Sequence, residues 1–146
     1  MNRETLVKTA SVLKQISEQA LAEYSGKREA VTTELNELMT SRKDVINLVG
    51  ENNLQMMADN HKNHSMFMES VFTEYNPEVL VDTVLWVFRA YRSHGFNLTY
   101  WPAQLEVWVS VLKEKLTPET WKQIYPFYKW MIINIPVFTK LSEPVV

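Results

Sequence analysis

Apolar residues recur three and four positions apart along almost the whole chain, and that spacing confines it to helices. Leu6, Ala10, Leu13, Ile16, Ala20 and Tyr24 form one stripe over residues 3–24, opposite Lys8, Lys14 and Glu18. Ser25-Gly26 is expected to end this helix, with Gly in the left-handed terminal position. A second helix carries Val31, Leu35 and Leu38. Ser41-Arg42-Lys43-Asp44 resembles a capping box that starts a short helix closed by Gly50; the alternative is one helix running through Ser41. Asn52 or Asn53 caps the next, whose face holds Leu54, Met57, His61, His64, Met68 and Val71.

Asn76-Pro77 stops that helix and opens another, through Leu80, Val84, Val87, Phe88 and Tyr91 to His94-Gly95. Apolar residues crowd several sides between Val79 and Phe88, so this helix is expected to be the central and most buried one. Trp101, Leu105, Trp108 and Leu112 mark a further helix, and Thr117-Pro118-Glu119 starts the last, with Thr as N-cap. Pro126 and Pro136 lie within it and are expected to kink or break it. No alternating run is long enough for a strand. The expectation is an all-α domain of six to seven helices, a globin-like or related bundle, spanning residues 1–146.

Composition narrows the chemistry. The 146 residues include no Cys and three Gly, with 15 basic and 17 acidic side chains. Absence of Cys excludes disulfides, thiolate metal sites and a thiol nucleophile. Isolated glycines exclude a phosphate-cradling loop. The balanced charge lacks the basic face that nucleic-acid binding needs. No apolar leader follows Met1 and no apolar run would span a bilayer, so the expected location is the cytoplasm, away from the membrane. No nucleophile elbow, Walker loop or paired-carboxylate motif is present, so no enzyme is expected.

The aromatics are uneven: of 17, only Tyr24 precedes Phe67. Each half carries a net charge near −1, so the asymmetry is one of packing. Residues 1–50 read as a polar, amphipathic helical arm and 51–146 as an aromatic-rich core. Tyr91, Tyr100, Trp101, Trp108, Trp121, Tyr125, Tyr128 and Trp130 bring eight polar tips with them. They form either solid core or core around a pocket for a small apolar or aromatic ligand, with Tyr91, Trp101, Trp108 and Tyr128 as its lining. His61 and His64 are either metal ligands, with Asp59 and Glu69 near, or filler on a partly exposed polar stretch. His94 is expected to cap the end of its helix, with catalysis or ligation as the alternative.

Two resemblances meet at the same residues. Tyr91-Arg92-Ser93-His94-Gly95-Phe96-Asn97-Leu98-Thr99-Tyr100-Trp101 resembles the pattern of globin-coupled sensors, in which a haem-ligating His is followed four residues later by Gly and a large apolar residue, then by an aromatic pair. Tyr91 stands where that His would be. The departure implies a domain without haem, similar to the N-terminal domains of stressosome sensor proteins. Asn76-Pro77, Trp86, Gly95, Leu105, Leu112 and Leu116-Thr117-Pro118-Glu119 resemble the helical region preceding cobalamin-binding domains in bacterial sensors, with His94 in place of the usual Arg. Both imply a non-enzymatic sensory or regulatory module that signals through a partner protein. The alternatives are a haem-binding globin, ligated by His94, His61, His64 or Tyr91, and an assembly module that dimerises through the Leu6, Leu13 and Ala20 stripe.

Overall fold

A computed structural model describes residues 1–143; the last three residues of the expected domain lie outside it. It holds eight helices and, among the described residues, no strand. They are α1 (Arg3–Ala10), α2 (Glu18–Thr40), α3 (Val45–Val49), α4 (Leu54–Thr73), α5 (Pro77–Ser93), α6 (Tyr100–Lys115), α7 (Pro118–Ile133) and α8 (Ile135–Leu141). The all-α class is as expected, with one or two helices more than the spacing implied. Among the described residues no helix is long and apolar enough to cross a membrane.

The extra helices come from breaks that periodicity hides. Residues 3–24 are not one helix: the chain leaves α1 after Ala10 and re-enters at Ser17, whose side chain accepts from the Ala20 amide at 3.1 Å. Leu13 and Ile16 still face the core, so the stripe survives the break. The turn's loose ends are tied from elsewhere. Gln15 accepts from the Tyr75 amide at 2.8 Å and donates to the Phe72 carbonyl, while the Ser17 amide donates to Gln123 Oε1 at 2.8 Å. At the other end, Pro136 does break the last helix. Asn134 ends α7, and α8 starts anew with Pro136 in its first turn, where a missing N–H goes unnoticed. The helix continues through Pro126.

Gly26 ends nothing; it lies inside α2, whereas Gly50 and Gly95 close α3 and α5 with φ of +96° and +90°. A Cβ on Gly26 would meet no atom within 4 Å. Gly26→Ala is therefore expected to raise stability by about 0.5–1 kcal/mol, measured by urea unfolding, because it removes only unfolded-state freedom. A destabilised variant would contradict the helical setting of residue 26.

Asn53 and Thr117 hold the expected N-cap positions of α4 and α7, but their side chains, like that of Asp44, bond elsewhere. Asp44 does not return to Ser41; Arg42 holds its carboxylate at 2.8 and 3.0 Å. Asn53 is the N-cap of α4 but makes no side-chain cap bond, and its Nδ2 instead donates to the Val49 and His94 carbonyls at 2.7 and 2.9 Å. The Thr117 hydroxyl donates to Glu23 Oε1 at 2.7 Å rather than accepting from α7. Glu23, on α2, also takes bonds from the Thr117 amide, the Thr120 hydroxyl and Lys27. Burial alone would raise its pKa, but these bonds prevail and hold it at about 2. His94 does occupy the C-terminal position of α5.

The crowded helix α5 is not the centre. Trp86 is 65% exposed and Val79 50%. The middle belongs to α2, which packs on α4, α6 and α7, while α5 lies outside against α1 and α8. Leu6, Ala10, Ala20, Tyr24, Val31 and Leu35 enter the same hydrophobic core as the aromatic helices. Tyr24 meets Phe72 edge-on at 5.0 Å, and its hydroxyl donates to the Ser65 carbonyl at 2.9 Å. The stripe expected to meet a second copy is thus consumed within the chain: Leu6 and Ala20 are buried, and Leu13 is packed against them.

Candidate functional site

A cavity of about 250 Å³ lies between α4 and α5, floored by α6. From α4 come Asn60, Asn63, His64 and Phe67; from α5, Val84, Trp86, Phe88 and Tyr91. Trp101, Gln104 and Leu105 of α6 form the floor, and Met131 and Phe138 close one end. Helical geometry explains the set: Asn60, His64 and Phe67 stand three and four apart, as do Trp101, Gln104 and Leu105, so each group shares one face. Trp101 stacks on Phe88 at 4.4 Å with 17° between the rings, and Tyr91 meets it edge-on at 6.0 Å.

Two of the four expected lining residues are therefore present, Tyr91 and Trp101. Trp108 and Tyr128 are fully buried one layer behind, and reach the cavity through His64. The His64 ring lies 4.8 Å from Trp108, and its Nε2 is 2.8 Å from the Tyr128 hydroxyl. Tyr128 has no other acceptor within reach, so its O–H donates to Nε2 and the imidazole carries its proton on Nδ1. Burial, reinforced by the nearby His61, lowers the His64 pKa to about 3, so the ring is neutral at pH 7.

His61 is not filler on an exposed stretch; it is wholly buried, as are Asn60 and Ser65. Burial lowers its pKa to about 4. Its Nε2 is 3.0 Å from the Tyr100 hydroxyl, which lies 2.7 Å from Asn60 Oδ1. Those lengths fit an N–H donating from His61 to Tyr100 and an O–H donating from Tyr100 to Asn60. The His61 proton then sits on Nε2, and Nδ1 must accept. Asn36 Oδ1 is placed 3.0 Å from Nδ1; a half-turn of this partly exposed carboxamide presents its NH₂ instead, as the neutral network requires. With Asn60 Oδ1 engaged, the Asn60 NH₂ is left to the cavity.

Gln104 is fixed with less to decide. Trp108 Nε1, a donor only, lies 3.0 Å from Gln104 Oε1. The Gln104 Nε2 therefore faces away from Trp108, and among the described residues no acceptor meets it although the residue is only 2% exposed. Asn60 and Gln104 were not expected at the site. The signal that could have found them is a carboxamide on an otherwise apolar helical stripe, between Met57 and Met68 for one and between Trp101 and Trp108 for the other.

No Lys, Arg, Asp or Glu among the described residues lines the cavity. Among the described residues no three His, Asp or Glu side chains converge as metal ligands. Asp59 and Glu69 do not join the His pair: Asp59 accepts from Gln55 at 3.1 Å, and Glu69 lies 3.4 Å from Arg28. Of the four haem ligands considered, His94 is exposed at the end of α5, and His61 has both ring nitrogens in hydrogen bonds. His64 and Tyr91 are the two that reach the cavity, and His64 Nε2 is already held by Tyr128.

The chain matches no family model, no curated protein and no solved structure. What the cavity can do must follow from its own chemistry. It offers aromatic walls and neutral polar groups and, among the described residues, no Lys, Arg, Asp or Glu.

Proposed function

We propose that this chain is a non-enzymatic, globin-like sensory or regulatory domain that holds a small apolar or aromatic ligand without haem and passes its presence to a partner protein. The observation that carries the proposal is the cavity of about 250 Å³ between α4 and α5, with Tyr91 and Trp101 in its wall. An apolar cavity of about 150 Å³ holds benzene, so in proportion this one has room for roughly ten heavy atoms. Its outer wall is α5, which exposes Val79 to solvent and Trp86 at the cavity's edge. A ligand that prefers one seating of α5 shifts the population of that seating, and the exposed face is where a partner would read it. Ties across α5 limit the travel: Arg3 to Asp82 at 2.6 and 3.0 Å, and Arg92 to the Thr139 carbonyl at 2.9 Å.

Native mass spectrometry and tryptophan fluorescence test the proposal with indane, a bicyclic hydrocarbon, and 1-indanone, its ketone. One molecule per chain is expected to bind saturably and to quench fluorescence, with most of the signal lost in Trp101→Phe. No saturable binding of either probe up to its solubility limit would overturn the proposal. A Soret band after incubation with haem, abolished by His64→Leu or Tyr91→Phe, would replace it with the haem-binding alternative.

A further inference from the structure

We infer that the cavity selects a neutral, flat ligand of one or two rings bearing a hydrogen-bond-accepting oxygen, such as the carbonyl of a cyclic ketone, lactone or quinone, held by the Gln104 and Asn60 carboxamide N–H groups. The inference rests on the cavity being a ligand site and specifies what that site recognises. Gln104 and Asn60 are 2% and 4% exposed, both line the cavity, and each has its oxygen committed within the protein. What remains of each is an NH₂ with no protein acceptor. His64 adds a third donor, the Nδ1–H left over when Nε2 accepts from Tyr128.

The buried polar groups of the cavity are thus donors. Side chains able to give or take a bond stand nearer solvent: Asn63 is exposed, and Thr83 and Tyr91 are half-buried. A hydrocarbon that enters strips these donors of water and returns nothing, whereas a carbonyl oxygen with two lone pairs can accept from two of them. Charge is selected against as well. No cationic side chain lines the cavity, so a carboxylate would be desolvated without a counter-charge. The Trp101–Phe88 stack and Phe67 supply flat surfaces for a ring.

The test is a comparison of four bicyclic probes on the intact protein at pH 7: 1-indanone, with indane and indole of nearly the same size, and the somewhat larger indane-1-carboxylate. 1-Indanone is expected to bind about tenfold more tightly than indane, with indole, which presents an N–H to donors, and the carboxylate weaker than the ketone. The carbonyl stretch of bound 1-indanone should shift to lower frequency than in a hydrocarbon solvent, as hydrogen bonding weakens the C=O bond. Gln104→Met is expected to remove most of the ketone preference. This variant also deprives Trp108 of its acceptor, so the infrared shift in the unaltered protein stands as a measurement independent of its folding. Equal binding of indane and 1-indanone, an unshifted carbonyl, or tighter binding of indole or the carboxylate would overturn the inference while leaving a ligand cavity in place. Failure of all four probes to bind would overturn both.

Discussion

Trp108→Ala is expected to lower the unfolding free energy by about 3–5 kcal/mol, a large share of the 5–15 kcal/mol typical of a domain. Trp108 is fully buried on α6 and packs against the rings of His64, at 4.8 Å, and His61, at 6.5 Å. Truncation removes the packing of the largest side chain and leaves Gln104 Oε1, its acceptor at 3.0 Å, unpaired in the interior. Trp86→Ala is the control. At 65% exposure it should change stability by no more than about 0.5 kcal/mol. Urea unfolding of both, followed by far-UV circular dichroism, makes the comparison. A loss below about 1 kcal/mol for Trp108→Ala would mean that the ring is not part of a packed core. The contrast matters for function too. Trp108 reaches the cavity through His64 and Gln104 and does not line it, so a loss of ligand binding in Trp108→Ala reports the loosened wall and the unfixed Gln104 carboxamide rather than a lost direct contact.

The same pair of tryptophans shows how much of the molecule is legible in its sequence. Spacing places both on apolar stripes, and for element type that suffices: the stripes lie on helices, though the 3–24 stripe is split between α1 and α2, and Asn76-Pro77, Gly50 and Gly95 punctuate where expected. Spacing does not tell which side of a helix meets another element. Val79 to Phe88 is apolar on several sides because α5 lines a cavity and also presents an outer face, not because it is central. Gly26 misleads for a related reason. A glycine in a helix is tolerated when long-range packing of Tyr24, Val31 and Leu35 fixes the helix around it. The break at residues 11–17 rests on Gln15, Tyr75 and Gln123, residues brought together from distant parts of the chain, and no local pattern encodes it.

At the site, the aromatic wall was legible and the polar recognition was not. Tyr91 and Trp101 stand out by size and spacing. Asn60 and Gln104 acquire meaning only when Tyr100 and Trp108 occupy one end of each carboxamide and leave the other free. The His pair is similar. Sequence sets His61 and His64 on one face, which suits a shared ion, but the structure turns them to different partners, Tyr100 and Tyr128. Two neutral imidazoles buried in place of a metal pair have a thermodynamic signature of their own.

That signature is acid lability. Between pH 7 and pH 5 the protein is expected to lose about 3–4 kcal/mol of stability. Burial lowers His61 from 6.5 to about 4, and burial, then the neighbouring His61, lowers His64 from 6.5 to about 3. With folded values depressed, the unfolded chain binds more protons once the pH drops below about 6.5, so stability is fully present above that value. It falls as the pH approaches the folded values, at up to two protons' worth of slope. The structure opposes protonation of His64 specifically: an added proton on Nε2 would face the Tyr128 hydroxyl, which has no second acceptor to turn to. Urea titrations at pH 7, 6 and 5 measure the loss directly. His64→Gln, which can still accept from Tyr128 but cannot titrate in this range, is expected to retain only about half of the pH dependence, roughly 2 kcal/mol, while costing some stability at pH 7. Ligand-binding assays of the cavity should accordingly be made near pH 7, where both rings are neutral and His64 keeps the tautomer that offers its Nδ1 proton. Stability unchanged from pH 7 to pH 5 would show that the two imidazoles are not buried as neutral groups, and would remove the third donor from the cavity with them.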